Sequence, residues 1–181
     1  MEILEREFDL DELLGQALNF FKALAMDKGI HLRMEKPQSL GRFVGDEGRL
    51  RQILFNLMGN ALKFADRGAV VLEAWPVGAS AGLARILFSV GDEGIGIPAA
   101  EQERVFERFY RVDPARSRDT GGTGLGLSIV KHVAADHGGD VAVWSQPGRG
   151  STFTIRLPRA DLTSSDVVDL TSTTIPQGDT V

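Results

Sequence analysis

Residues Gly121 to Gly139 read GGTGLGLSIVKHVAADHGG. Glycines 121, 122, 124 and 126 lead into Leu127, Ile129, Val130 and Val133, apolar positions at helical spacing, and Gly138-Gly139 stops the run. The spacing predicts a helix over Thr123–Asp136. A glycine-rich backbone feeding a helix N-terminus leaves N–H groups at the positive end of the helix dipole, which suits phosphate. No Gly-Lys-Ser/Thr follows, so the run is not a P-loop. Alternate glycines without a strand directly before them make a poor dinucleotide fingerprint. Alone, the run is weak evidence of a site.

Working outward, Val141 to Ser145 and Thr152 to Leu157 alternate apolar and polar around the turn Gln146-Pro147-Gly148-Arg149-Gly150. Beyond Pro158 the chain is Ser/Thr/Asp-rich and aperiodic, which predicts a disordered tail over 160–181. Upstream, Glu107 to Gly122 is long, charged and aperiodic, the character of a lid or binding loop. Before it, Ala69 to Trp75 and Arg85 to Val90 predict a hairpin around Gly78 to Gly82, and Pro98 starts a short helix through about Phe106. Asp46 can cap a helix running to about Phe64, with Leu50, Ile53, Leu54 and Leu57 on its apolar face. Pro37 to Gly45 is predicted as loop, Ile30 to Glu35 as a strand with Ile30, Leu32 and Met34 inward, and Asp9 to Met26 as a helix closed by Gly29. This order predicts an α/β fold with helices layered on one face of a mixed sheet.

The bulk composition narrows the function. The 181 residues carry a net charge of −5 and no cysteine, which excludes disulfides and thiolate metal sites. Residues Asp161 to Val181 hold four Asp and no Lys or Arg, leaving −1 for the rest. A near-neutral body argues against nucleic-acid binding by bulk charge. No apolar run approaches the ~18 residues of a membrane span and no leader opens the chain, so a soluble, cytoplasmic protein is expected.

Two further motifs carry chemistry. Asn56, Asn60 and Lys63 fall at i, i+4 and i+7 and share one helix face, extended by Gln52. Taken alone, this is a solvated face; its amide oxygens are also hard ligands suited to magnesium that bridges phosphates. The second motif, DEGIGIP (Asp92 to Pro98), follows a predicted strand. Its aspartate can accept a hydrogen bond from an exocyclic amine, and its glycines let backbone pass close to a flat ring. Three weak signals in this order are together specific.

NLMGNALKF (Asn56 to Phe64), DEGIGIP, FERFYRVD (Phe106 to Asp113) and GGTGLGLSIVKHVAADHGG resemble, in order, the N, G1, F and G2 boxes of the sensor histidine kinase catalytic domain. The resemblance runs from about Phe8 to Pro158. It implies the two-layer α/β sandwich of the gyrase, Hsp90, histidine kinase and MutL ATP sites (the Bergerat-type fold), a mixed, mostly antiparallel sheet covered on one face by about three helices. It implies ATP and Mg²⁺, with Asn60 on the metal, Asn56 beside it and Lys63 on the phosphates. Asp92 would read the adenine amine, Gly94, Gly96 and Ile97 would shape its pocket, and Tyr110 would border the nucleotide. Gly122, Thr123, Gly124, Leu125, Gly126 and Leu127 would border the triphosphate. Arg111, Arg116 and Arg118 lie on the lid, and Arg111, next to the aromatic anchor, is the first choice for the γ-phosphate. Phe106 and Phe109 would pin the lid to the core.

The resemblance also implies partners: a dimerisation and histidine-phosphotransfer domain of the same kinase and, indirectly, a response regulator, with no nucleic acid and no membrane contact by this domain. Relatives that hydrolyse ATP resemble one another in carrying a Glu one turn before the magnesium Asn. Here that site is Asn56, whose amide cannot take a proton from water at neutral pH. Neutral imidazole needs less help as a nucleophile, so histidine phosphorylation is favoured over two alternatives, a gyrase/Hsp90-type ATPase and a nucleotide-binding pseudokinase. His31, His132 and His137 lie outside any phosphoacceptor pattern and are expected to be structural. Residues 1–8 are read as the stub of a preceding helical domain, 9–159 as the catalytic domain and 160–181 as tail. Up to Ala74 the chain reads like the hybrid-kinase branch, and from Phe109 like the phosphate-sensing branch, as in a recombined chain.

Overall fold

A computed structural model of the chain describes residues 4–78, 84–112 and 123–159. Strand β1 (Arg6–Asp9) leads into helix α1 (Leu10–Asp27), β2 (His31–Glu35), β3 (Arg42–Gly45), helix α2 (Glu47–Phe64), β4 (Ala69–Val77) and β5 (Ala84–Asp92). Two 3-10 turns, Ala99–Glu101 and Arg104–Phe106, precede helix α3 (Gly126–Asp136), β6 (Asp140–Gln146) and β7 (Gly150–Arg159). Five strands form one sheet in the order β2-β4-β5-β7-β6, parallel only between β2 and β4. The helices pack on one face of it, an α/β sandwich of the expected kind.

Local chemistry explains the boundaries. Asp9 accepts the Glu12 N–H at 3.0 Å and starts α1, while Asp46 accepts the Arg49 N–H at 3.0 Å and starts α2. Gly29, at φ +66°, ends α1 with the Ile30 N–H on the Ala25 carbonyl. Alternation along the strands sends Val70, Leu72 and Ala74, Ile86, Phe88 and Val90, and Phe153, Ile155 and Leu157 inward against the helices. Leu13, Leu14, Leu57, Met58, Leu62 and Val130 meet them from above, each at most 1% exposed.

Three expectations are corrected. Pro37 to Gly45 is not all loop, because Arg42–Gly45 pairs antiparallel with Arg6–Asp9, with Phe8 opposite Phe43 and their rings edge to face at 5.8 Å. In that pair Arg6 stands opposite Gly45 and Glu7 opposite Val44. Four-residue strands with one buried aromatic each are too short for periodicity to register. The third helix starts at Gly126, three residues later than predicted, and the Pro98–Phe106 helix is two 3-10 turns. The predicted tail at 160–181 and the centre of the predicted hairpin loop lie outside the described residues.

Candidate active site

The site is assembled where α2, the β5 end and the start of α3 meet. On α2, the Asn56 side-chain amide donates to the Gly126 carbonyl at 3.3 Å, joining the asparagine stripe to the glycine run. A Cβ on Gly126 would stand 3.6 Å from the Asn56 amide. Asn60 follows one turn later, half-buried, and Lys63 lies in the last turn with its ammonium 5.3 Å from the centre of the Phe64 ring. Burial and the nearby Arg111 guanidinium hold the Lys63 ammonium below its usual pKa range. Two cations therefore share one region.

Asp92 ends β5, and burial pushes its carboxyl pKa up. The backbone N–H groups of Gly94 and Ser151 partly oppose that rise, the former at 2.8 Å. A Cβ on Gly94 would fall 2.5 Å from the Phe64 carbonyl, so the acidic loop touches the end of α2. Gly96 (φ +71°) and Ile97 lie against the β6–β7 turn. A Cβ on Gly96 would fall 2.1 Å from the Gln146 carbonyl, and the Ile97 N–H donates to Ser145 Oγ at 2.7 Å, so both fasten the loop to the β6–β7 turn.

At the glycine run, Gly124 has φ +70° and a Cβ there would lie 2.9 Å from Phe109 Cα. The Phe109 N–H donates to the Gly124 carbonyl at 3.0 Å. Phe109 itself has φ +63°, and its ring is 71% exposed, which corrects the expectation that this ring pins the lid. Its backbone holds instead, while Phe106 does reach the core, edge to face on Phe153 at 6.1 Å. Tyr110 stacks under Arg104, 4.1 Å from ring centre to guanidinium. No side chain caps α3 at Leu125; Thr123 is exposed and Leu127 packs partly against the core. Arg116, Arg118 and Gly122 lie outside the described residues.

Asn56 thus meets Gly126, Lys63 lies near Arg111, Gly124 packs on Phe109, and the Asp92–Gly94 loop lies against the end of α2. Sequence reasoning missed Ser151 and Gly150. The β5–β7 register sets Ser151 opposite Asp92, and a Cβ on Gly150 (φ +98°) would fall 1.9 Å from the Asp92 carbonyl. Pairing between strands so far apart in sequence leaves no local signal. A groove of about 640 Å³ lies nearby, lined by Met26, His31, Arg33, Gly68 and Glu93, and includes none of the predicted site residues.

Known proteins are similar to this chain in sequence and fold. The family described as "Histidine kinase-, DNA gyrase B-, and HSP90-like ATPase" matches residues 45–161. The sensor-like histidine kinase SenX3 of Mycobacterium tuberculosis (strain ATCC 25618 / H37Rv) is 47% identical over 152 residues, 84% of this chain and 36% of the relative. One relative thus matches both stretches that read as different branches, and the chain spans about a third of its length. The crystal structure of full-length ShkA in complex with AMPPNP superimposes with TM-score 0.77 at 36% identity, covering 91% of this chain and 33% of that one. The nucleotide-free catalytic domain of histidine kinase ThkA gives TM-score 0.71 at 25% identity, over 88% of this chain and 97% of that one. The chain belongs to the histidine kinase-, DNA gyrase B- and HSP90-like ATPase family, and within it is homologous to the catalytic domains of sensor histidine kinases.

Proposed function

We propose that this chain binds ATP in the cleft between α2, the Asp92 loop and the start of α3, and passes the γ-phosphoryl group to a histidine on a separate dimerisation domain of a two-component kinase. A response regulator would then receive the group. The observation that carries this reading is the Asn56–Gly126 hydrogen bond, which brings the asparagine stripe to the glycine run. Transfer to imidazole asks for positioning and charge neutralisation more than for a base. Asn56 suits that demand, since an amide orients oxygens without removing protons.

Asp92 would accept the adenine exocyclic N–H and select adenine over guanine, whose carbonyl at that position donates nothing. Lys63 and Arg111 would face the phosphates, their mutual repulsion relieved by the anion. The uncapped N–H groups of α3 would bind the phosphate oxygens. Mg²⁺ would bind as a partly hydrated ion, with the half-buried Asn60 supplying one amide oxygen and the phosphates others. Bound there, the ion would neutralise phosphate charge. Among the described residues no helix is long and apolar enough to cross a membrane, and a cytoplasmic setting, in a kinase whose full length can be membrane-anchored, follows from the ATP substrate.

A calorimetric ATP titration with and without Mg²⁺ tests the cleft, and mixing the chain with a separately made acceptor domain and labelled ATP tests the transfer. Magnesium-dependent ATP binding and labelling of the acceptor in trans are expected. Binding without labelling would leave a nucleotide-binding module and remove the kinase reading.

A further inference from the structure

We propose that His137 is a positioning residue for this reaction, setting how far α3 slides along α2 and hence where Gly126 stands against Asn56. The inference rests on the nucleotide reading above. The two helices run antiparallel across their contact. Asn56 meets Gly126 at one end, and the α2 N-cap Asp46 meets His137, the α3 C-cap, at the other. Ten residues separate the contacts along α2 and eleven along α3. At 1.5 Å per residue the spans are about 15 and about 16.5 Å, so the two contacts are closely matched rungs of one ladder.

The imidazole fits its rung in a single protonation state. Its Nδ1 lies 2.8 Å from the Val133 carbonyl, which can only accept, so Nδ1 carries the proton. Its Nε2 is then a lone pair, and it accepts the Asp46 N–H at 3.1 Å. Both partners are backbone groups, one on each helix. The Asp46 carboxylate is occupied by the Arg49 and Leu4 N–H groups, so the ring is held against a fixed cap.

The backbone around His137 is equally determined. Gly138 has φ +71°, and the Gly138 and Gly139 N–H groups return to the Ala135 and Ala134 carbonyls, a Schellman ending. Gly45 leaves room for the ring: a Cβ there would be 3.3 Å from His137 Cδ2. Between the rungs α3 buries Val130, Val133 and Ala134, whose apolar contacts are non-directional and define sliding poorly. The two polar rungs supply the missing direction. A slip of one residue, ~1.5 Å, would break a 3.3 Å hydrogen bond at Asn56.

The test compares His137→Leu, which keeps bulk and removes both nitrogens, with His137→Gln, whose amide carries a donor and an acceptor. ATP affinity with Mg²⁺ is measured by calorimetry below the melting transition of each protein, and ¹⁵N NMR of the wild-type imidazole reads its tautomer. Expected are an Nδ1–H tautomer, at least tenfold weaker ATP binding by His137→Leu, and recovery to within about threefold by His137→Gln. Folded His137→Leu binding ATP as tightly as wild type overturns the proposal. So does an Nε2–H tautomer, a reading that needs no variant to fold. Wild type that binds no ATP would instead overturn the nucleotide reading and remove the basis of this one.

Discussion

The Asp92 carboxylate accepts the Gly94 N–H at 2.8 Å, and a methyl group on Gly94 would stand 2.8 Å from that same oxygen. The loop is thus closed tightly around a buried acid, and the acid carries a cost. Burial raises the Asp92 pKa above 3.8, so the folded state holds that proton more tightly than the unfolded chain does. The resulting stability is fully present below about pH 3.8 and is lost as pH rises through the folded pKa.

Asp92→Asn removes that titration and can keep the Gly94 contact through its side-chain oxygen. Its melting temperature near pH 7 should equal or exceed that of wild type, and the wild-type advantage should appear only in acid. ATP affinity should fall about 10- to 100-fold, the worth of a hydrogen bond to a charged group. Calorimetry of melting and of binding checks both halves, and undiminished affinity would sink the adenine role.

Lys63 predicts a proton signature. Its pKa is lowered, by burial first and then by Arg111, and a triphosphate beside it should raise it again. Binding should therefore take up protons at alkaline pH, and ATP affinity should fall as pH rises through the free-state pKa. Titrations at alkaline pH in buffers of different ionisation enthalpy would detect the uptake. Lys63→Met should abolish it; uptake that persists in this variant would assign it elsewhere.

Gly124→Ala puts a Cβ at φ +70° and 2.9 Å from Phe109 Cα. A cost of about 1–3 kcal/mol is expected, concentrated where the Phe109 N–H meets the Gly124 carbonyl. Denaturant unfolding gives the total, and faster hydrogen exchange at the Phe109 amide would locate it. Exchange unchanged at that amide would refute backbone pinning of the lid.

Asn56 separates the kinase from a hydrolytic reading. The chain alone should release phosphate from ATP at background rate, because an amide cannot serve as general base. Asn56→Ala should weaken ATP binding, by loss of the Gly126 contact, without changing that background. Steady phosphate release that Asn56→Ala abolishes would favour a gyrase/Hsp90-type ATPase.

The helices, five sheet strands and three motifs were legible because each rests on a local rule: a cap, a period, a glycine stop. The short β1–β3 pair was not, since Phe8 and Phe43 acquire meaning only opposite each other. Phe109 misled for a related reason. An aromatic beside a lid reads as an anchor, yet its positive φ turns the ring outward and leaves its backbone to hold.

The sequence by itself determined the family, the order of elements and which side chains have the chemistry to meet a nucleotide, because residue types and spacings within one helix or loop act over a few residues. Only the tertiary structure decided which of them meet. Asn56 with Gly126, Ser151 with Asp92 and Asp46 with His137 are joined across 59 to 91 residues of chain by strand register and helix packing. Such contacts are set by the closing of a shared core, and no local pattern encodes them.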